Sequence, residues 1–159
     1  MAVDRKARTQ LRKALVSYMA DEIRSFEFDD QNTEFQSAKT TTDNSVHQIS
    51  LFLFNIHDDF IDQSISVSPD GWAVLRRILA FLSTDLDIEA PQKEPAWPFQ
   101  NDEEWQRHES LLNDIDLSEY DPVIHCRQIQ PWWNRIPSSL GFAILGSLLV
   151  AVLILLFGA

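Results

Sequence analysis

Glycine is nearly missing from this chain of 159 residues: only Gly71, Gly141, Gly146 and Gly158 occur. Phosphate loops and dinucleotide fingerprints need several glycines at fixed spacing, so those nucleotide-binding motifs are absent. A single cysteine, Cys126, excludes an intramolecular disulfide and suits a reducing compartment. Cations are scarce too, 13 Lys and Arg against 24 Asp and Glu, for a net charge of −11. An acidic chain is repelled by nucleic-acid phosphates, so no nucleic acid is expected as a partner. Residues 1–10 are basic and polar with no apolar segment behind them, so no secretory signal is expected. There is no internal repeat.

What the chain does have is a long apolar run near its end. Residues 140–157 read LGFAILGSLLVAVLILLF, without charge and with one hydroxyl, Ser147. At helical rise they extend about 27 Å, close to the hydrocarbon thickness of a bilayer. Only Gly158 and Ala159 follow Phe157, so the expectation is a transmembrane helix over 138–158 acting as a C-terminal anchor. Trp132 and Trp133 precede it, where amphipathic indoles favour the headgroup layer, and Arg135 stands beside them. Arg127 and Arg135 on the N-terminal side, with no cation beyond the span, keep the preceding domain cytoplasmic by the positive-inside rule. Ala143, Ser147 and Ala151 recur every four residues. Small residues at that spacing let two helices approach closely, so a homodimer through this face is an expectation.

About 135 residues precede the span, room for one small domain with a modest core. Residues 1–24 carry six cations against three anions, whereas residues 25–121 carry twenty-one anions against five cations. Apolar steps of three and four dominate the pattern. A first helix is expected over 4–24, with Leu11, Leu15 and Tyr18 on one strip and Val16, Met19, Ile23 and Phe26 beside it. The basic residues of that helix are read as its solvated face. Residues 29–43 read as a polar loop. A second helix should start at the N-cap Asp43 and bury Val46, Ile49, Leu53, Ile56 and Phe60, flanked by Phe52 and Phe54. Ser68 as N-cap followed by Pro69 marks a third, burying Trp72, Leu75, Leu79 and Leu82, with Arg76 and Arg77 in water. Similar spacing suggests that helices two and three pack together with the first across them. The fold class is therefore all-α, a three-helix core over 1–88. Residues 89–135 form an acidic connector rich in Pro and Trp, with a short helix over 101–113 carrying Trp105, His108 and Leu112 on one face.

The stretches LRKALVSYMADEIRSFEFDD, TTDNSVHQI, HDD, SPDGWAVLRRILAFLSTDLDIE, WPF and EEW together resemble a family of small uncharacterised bacterial proteins. In that family an N-terminal helix ending in an FEFD-like motif precedes a Trp-bearing helix. The likeness covers residues 11–105 and implies no activity. It implies a bacterial origin, and with it the inner membrane.

The densest chemical cluster is His57-Asp58-Asp59, with His47 ten residues upstream. Adjacent His and Asp are the ligand types used at the metal sites of helical phosphohydrolases. Ten residues, however, separate His47 and His57 by about 15 Å and about 1,000° on one helix, so they cannot share a metal there. His57 and the two aspartates read more simply as the polar end of the second helix. His108 reads as a half-buried, hydrogen-bonded ring near Trp105 rather than a base. His125-Cys126 lacks a third group to orient a thiolate. No catalytic, cofactor-binding or metal-ligating residue is therefore assigned, and no cofactor is expected. The chain reads as a membrane-tethered interaction or adaptor module whose acidic cytoplasmic domain meets a basic protein partner. The alternative is a small membrane-bound metal-dependent hydrolase using His57 with Asp58 or Asp59.

Overall fold

The computed structural model describes residues 3–37, 40–56, 61–117 and Tyr120. The chain divides into two units, residues 1–127 and 128–159, and every described residue belongs to the first. The described part contains helices and turns without a strand, so the all-α class holds there. No helix among the described residues is long and apolar enough to cross a membrane. The span expected over 138–158, with Ala143, Ser147 and Ala151, lies outside them, as do Trp132, Trp133 and Arg135.

Helix α1 (Arg5–Met19) begins where Asp4 accepts a hydrogen bond from the Ala7 amide at 3.0 Å. It buries Leu11, Leu15, Tyr18 and Met19, the strip that its apolar spacing marks. It stops five residues earlier than its periodicity suggests. Asp21 turns left-handed, with φ of 60°. The Glu22 amide then reaches the Ser17 carbonyl at 2.9 Å and the Asp21 amide reaches that of Tyr18 at 3.2 Å. These two bonds make a Schellman stop with aspartate where glycine is the usual residue. No glycine or proline announces it in the sequence.

The segment read as the end of the first helix and the start of a loop forms a helix of its own, α2 (Ser25–Thr33), followed by a 3₁₀ turn (Glu34–Gln36) that buries Phe35. Local cues are missing because α2 is capped from elsewhere. Arg24 at the N-cap makes no side-chain bond. Instead the Ser25 amide donates to the Gln63 carbonyl at 2.9 Å and the Phe26 amide to Asp62 Oδ1 at 3.3 Å. Ser25 Oγ donates to the Ile61 carbonyl and accepts from the Gln63 amide. The face of α2 turned inward holds Ser25, Phe28 and Asn32, too polar a set to show as an apolar stripe. Phe28 stacks on Tyr18 with ring centroids 4.7 Å apart. Phe26, expected on the buried face, is 44% exposed.

Helix α3 (Asn44–Phe54) is capped by Asp43 as expected, and α4 (Pro69–Phe81) by Ser68, whose hydroxyl accepts from the Gly71 amide at 3.1 Å. Helix α3 ends at Phe54, so Ile56 lies just beyond it, and Phe60 is outside the described residues. The core lies around α1, which packs against α2, α3 and α4, while α2 also packs on α3. The expected pairing of α3 with α4 is not one of the close helix pairs. A buried reciprocal pair joins α2 to α3: Asn32 Nδ2 donates to the Ser50 carbonyl at 3.0 Å, and Ser50 Oγ donates to the Asn32 carbonyl at 2.9 Å.

The packed core does not stop at residue 88. Residues 90–99 run through turns, with a cis bond between Trp97 and Pro98, and bring Trp97 and Phe99 into the buried cluster. Trp97 packs on Phe52 at 4.8 Å, and Phe99 meets the edge of Phe81 at 5.5 Å. Arg77, expected in water, lies partly covered and donates from Nε to the Trp97 carbonyl at 3.2 Å. Helix α5 (Asp102–His108) is capped by Asn101 and continues into a 3₁₀ turn (Glu109–Leu112) that seats Leu112 against α4.

Candidate interaction surface

Buried polar groups are the first place to look for chemistry, because desolvating them costs free energy unless something is gained. The largest such node is Arg8 with Asp43, both 1% exposed. Arg8 Nε and Nη2 donate to the two carboxylate oxygens of Asp43 at 2.7 and 3.2 Å, and Nη1 donates to the Thr84 carbonyl at 2.8 Å. The guanidinium lies over the Phe81 ring, 5.4 Å from its centroid. Asp43 also accepts from the amides of Asp4, Ser45 and Val46, so one carboxylate caps α3 and holds the start of α1. Thr41 completes the node, donating to Asp4 and accepting from the Asp43 amide. Burial would raise the Asp43 carboxyl, but the Arg8 contact and these amides hold it below the usual carboxylate range. Every donor and acceptor named here serves the joining of α1, α3 and the end of α4. Sequence reasoning found the cap but missed Arg8, which looks like one more cation on a solvated basic face.

The described histidines are His47 and His108. His108 stacks on Phe99, with centroids 5.5 Å apart, and its Nδ1 lies 2.8 Å from the Glu104 carbonyl. Trp105 packs on the same Phe99 ring at 5.6 Å, so the expected neighbourhood of His108 and Trp105 is built around an aromatic that sequence reasoning left unplaced. His47 sits half-buried on α3. His57, Asp58 and Asp59, on which the hydrolase alternative rests, lie outside the described residues, as do His125 and Cys126. Among the described residues no group of three His, Cys, Asp or Glu side chains could hold a metal ion. Among the described residues, shallow hollows of about 270, 230 and 200 Å³ open on the surface. Each falls below the size usual for small-molecule pockets.

The surface carries a different signal. Three large apolar side chains stand exposed among the described residues: Phe26 at 44%, Leu51 at 44% and Ile61 at 38%. Leu51 borders the 230 Å³ hollow with Gln48, Phe52, Asn55, Gln92 and Trp97. Phe26 and Ile61 stand on two segments that the bonds capping α2 hold together, since Ser25 Oγ donates to the Ile61 carbonyl and the Phe26 amide donates to Asp62. Carboxylates crowd this spot. Glu27 and Asp30 are exposed on α2 next to Phe26, and Asp62 is exposed beside Ile61. Below them the Tyr18 phenol is pushed well above its ordinary range by burial and then by the charges of Asp29, Asp21 and Asp62. The charges of three separate segments therefore act together on this one phenol. Comparison with protein families, with curated proteins and with solved structures returns no match for this chain.

Proposed function

We propose that the protein is a membrane-tethered, non-enzymatic interaction module, an acidic helical domain held at the cytoplasmic face of a bacterial inner membrane and meeting a basic protein partner there. The observation that carries this reading is the uncharged run of residues 140–157, long enough to span a bilayer, joined to a domain with twenty-one anions and five cations over residues 25–121. Trp132, Trp133 and Arg135 serve as the interfacial flank, and Arg127 with Arg135 supplies the cytoplasmic bias. Close approach along Ala143, Ser147 and Ala151 would present the domains in pairs. Support from the folded part is of two kinds. Its largest buried polar node, Arg8–Asp43, is occupied in joining helices. Its exposed charged groups are largely carboxylates, Glu27, Asp30, Glu34, Asp62, Asp70 and Glu103 among them. Tethering raises the local concentration of such a domain beside partners on the same membrane, so weak contacts suffice.

Alkaline washing of membranes from cells making the full chain tests the tether, because it strips peripheral proteins and leaves spanning ones. The protein should remain in the washed pellet. Replacing Leu148, Ala151 and Leu155 together with arginine should move it to the supernatant, since each charge at the centre of a span costs about 2.5–3.5 kcal/mol on insertion scales. A native chain that washes off would end this reading.

A further inference from the structure

We propose that Phe26 and Ile61 form the seat of the docking surface, taking an apolar side chain from a basic segment of a protein partner while Lys or Arg on that segment pairs with Asp62, Asp30 and Glu27. The inference rests on the reading of a basic partner and locates where such a partner would bind. Two of the three exposed large apolar side chains stand on the two segments that join at the start of α2. The hydrogen bonds of Ser25 and Phe26 to the segment 61–63 hold the two backbones together, so binding need not bring the segments to each other. An aromatic at the centre of a polar rim is the usual anatomy of a binding hot spot.

The charges select the occupant. Between residues 22 and 34 there are five carboxylates, Glu22, Glu27, Asp29, Asp30 and Glu34, and one cation, Arg24. Asp62 adds another from the adjoining segment, and its carboxylate faces the first turn of α2. Asp30, one helical turn beyond Phe26, shares its face. A neutral or acidic apolar segment would meet repulsion or unpaired charge on this rim, whereas a basic one meets complementary charge at Glu27, Asp30 and Asp62. The same rim argues against lipid as the occupant, because anionic headgroups would be repelled. A second copy of this chain is disfavoured in the same way, since each copy carries the net charge of −11.

The test uses the full chain in nanodiscs of zwitterionic lipid and, as probe, a short fluorescent peptide of lysine and arginine with one central leucine. Binding is read by anisotropy against empty nanodiscs. The wild type should bind, and more weakly as salt rises. Phe26→Ser and Ile61→Ser remove the seat without altering charge, and both side chains are exposed, so helicity should be unchanged in circular dichroism. Each should weaken binding about tenfold, the scale of losing an anchor side chain. Leu51→Ser, at the other exposed apolar position, should bind as the wild type does. If Phe26→Ser and Ile61→Ser both bind like the wild type, this surface is wrong while a basic partner elsewhere on the domain stands. If the wild type binds no better than empty nanodiscs, the surface and the basic partner fall together. An equal loss in Leu51→Ser would also overturn the assignment, because binding would then be spread over the domain.

Discussion

Arg8 and Asp43 show how much a single pair can organise in a small domain. A buried guanidinium loses its hydration, and here it recovers contacts from a carboxylate, a carbonyl and an aromatic face. Removing one partner leaves the other charged and uncompensated, so Arg8→Ala should cost about 3–5 kcal/mol in denaturant unfolding of the domain. The acid side follows from the same contacts. Asp43 titrates lower in the folded chain than in the unfolded one. Its stabilisation is therefore complete above the unfolded carboxyl value of about 3.9 and is lost as pH falls from there through the folded value. Asp43→Asn should be less stable than the native chain at neutral pH, and the gap should narrow on acidification. A gap that stays constant down to the lowest pH at which both fold would contradict this assignment. Asp43 was legible as a cap because a short acid before an apolar run has a local mechanism. Arg8 was not, since its partners Asp43 and Thr84 are 35 and 76 residues away.

Helices were readable where their signals are local. Ser68 and Pro69 mark the start of α4, Asp43 marks α3, and the apolar steps place Leu53, Leu75 and Leu79 in the core. The boundary between α1 and α2 was not readable, because both of its devices hide from a local reading. Its stop uses Asp21 in a left-handed turn that glycine normally fills, and its restart is capped from residues 61–63. That stop makes a direct prediction. Asp21→Gly relieves the left-handed backbone and should leave the domain as stable or about 1 kcal/mol more stable, whereas Asp21→Val should destabilise it by at least about 1 kcal/mol. Thermal unfolding of the two variants checks it. If valine is tolerated as well as glycine, residues 20–23 do not turn in this way. The exposed Phe26 belongs to the same lesson. The apolar spacing of a continuous first helix places it on the buried face, and the break leaves it exposed.

At the scale of the whole molecule, the helical class of the domain follows from its periodicity, but the extent of the core does not. Trp97 and Phe99 join the buried cluster from a stretch rich in proline whose composition looks like a linker. Aromatics in such a stretch can pack through turns without any period, so no pattern flags them. The interaction surface was equally silent, because it exists only where α2 and the 61–63 segment meet. The apolar run of residues 140–157 speaks through composition alone, and the account of a tethered cytoplasmic domain depends on it. The single thiol, Cys126, lies fourteen residues before that run and offers a native probe of side. Washed right-side-out and inverted membrane vesicles carrying the full chain would be treated with a maleimide that cannot cross the bilayer. The account predicts labelling of Cys126 in inverted vesicles and protection in right-side-out ones until detergent is added. Labelling in right-side-out vesicles, or loss of the protein from both during washing, would contradict it.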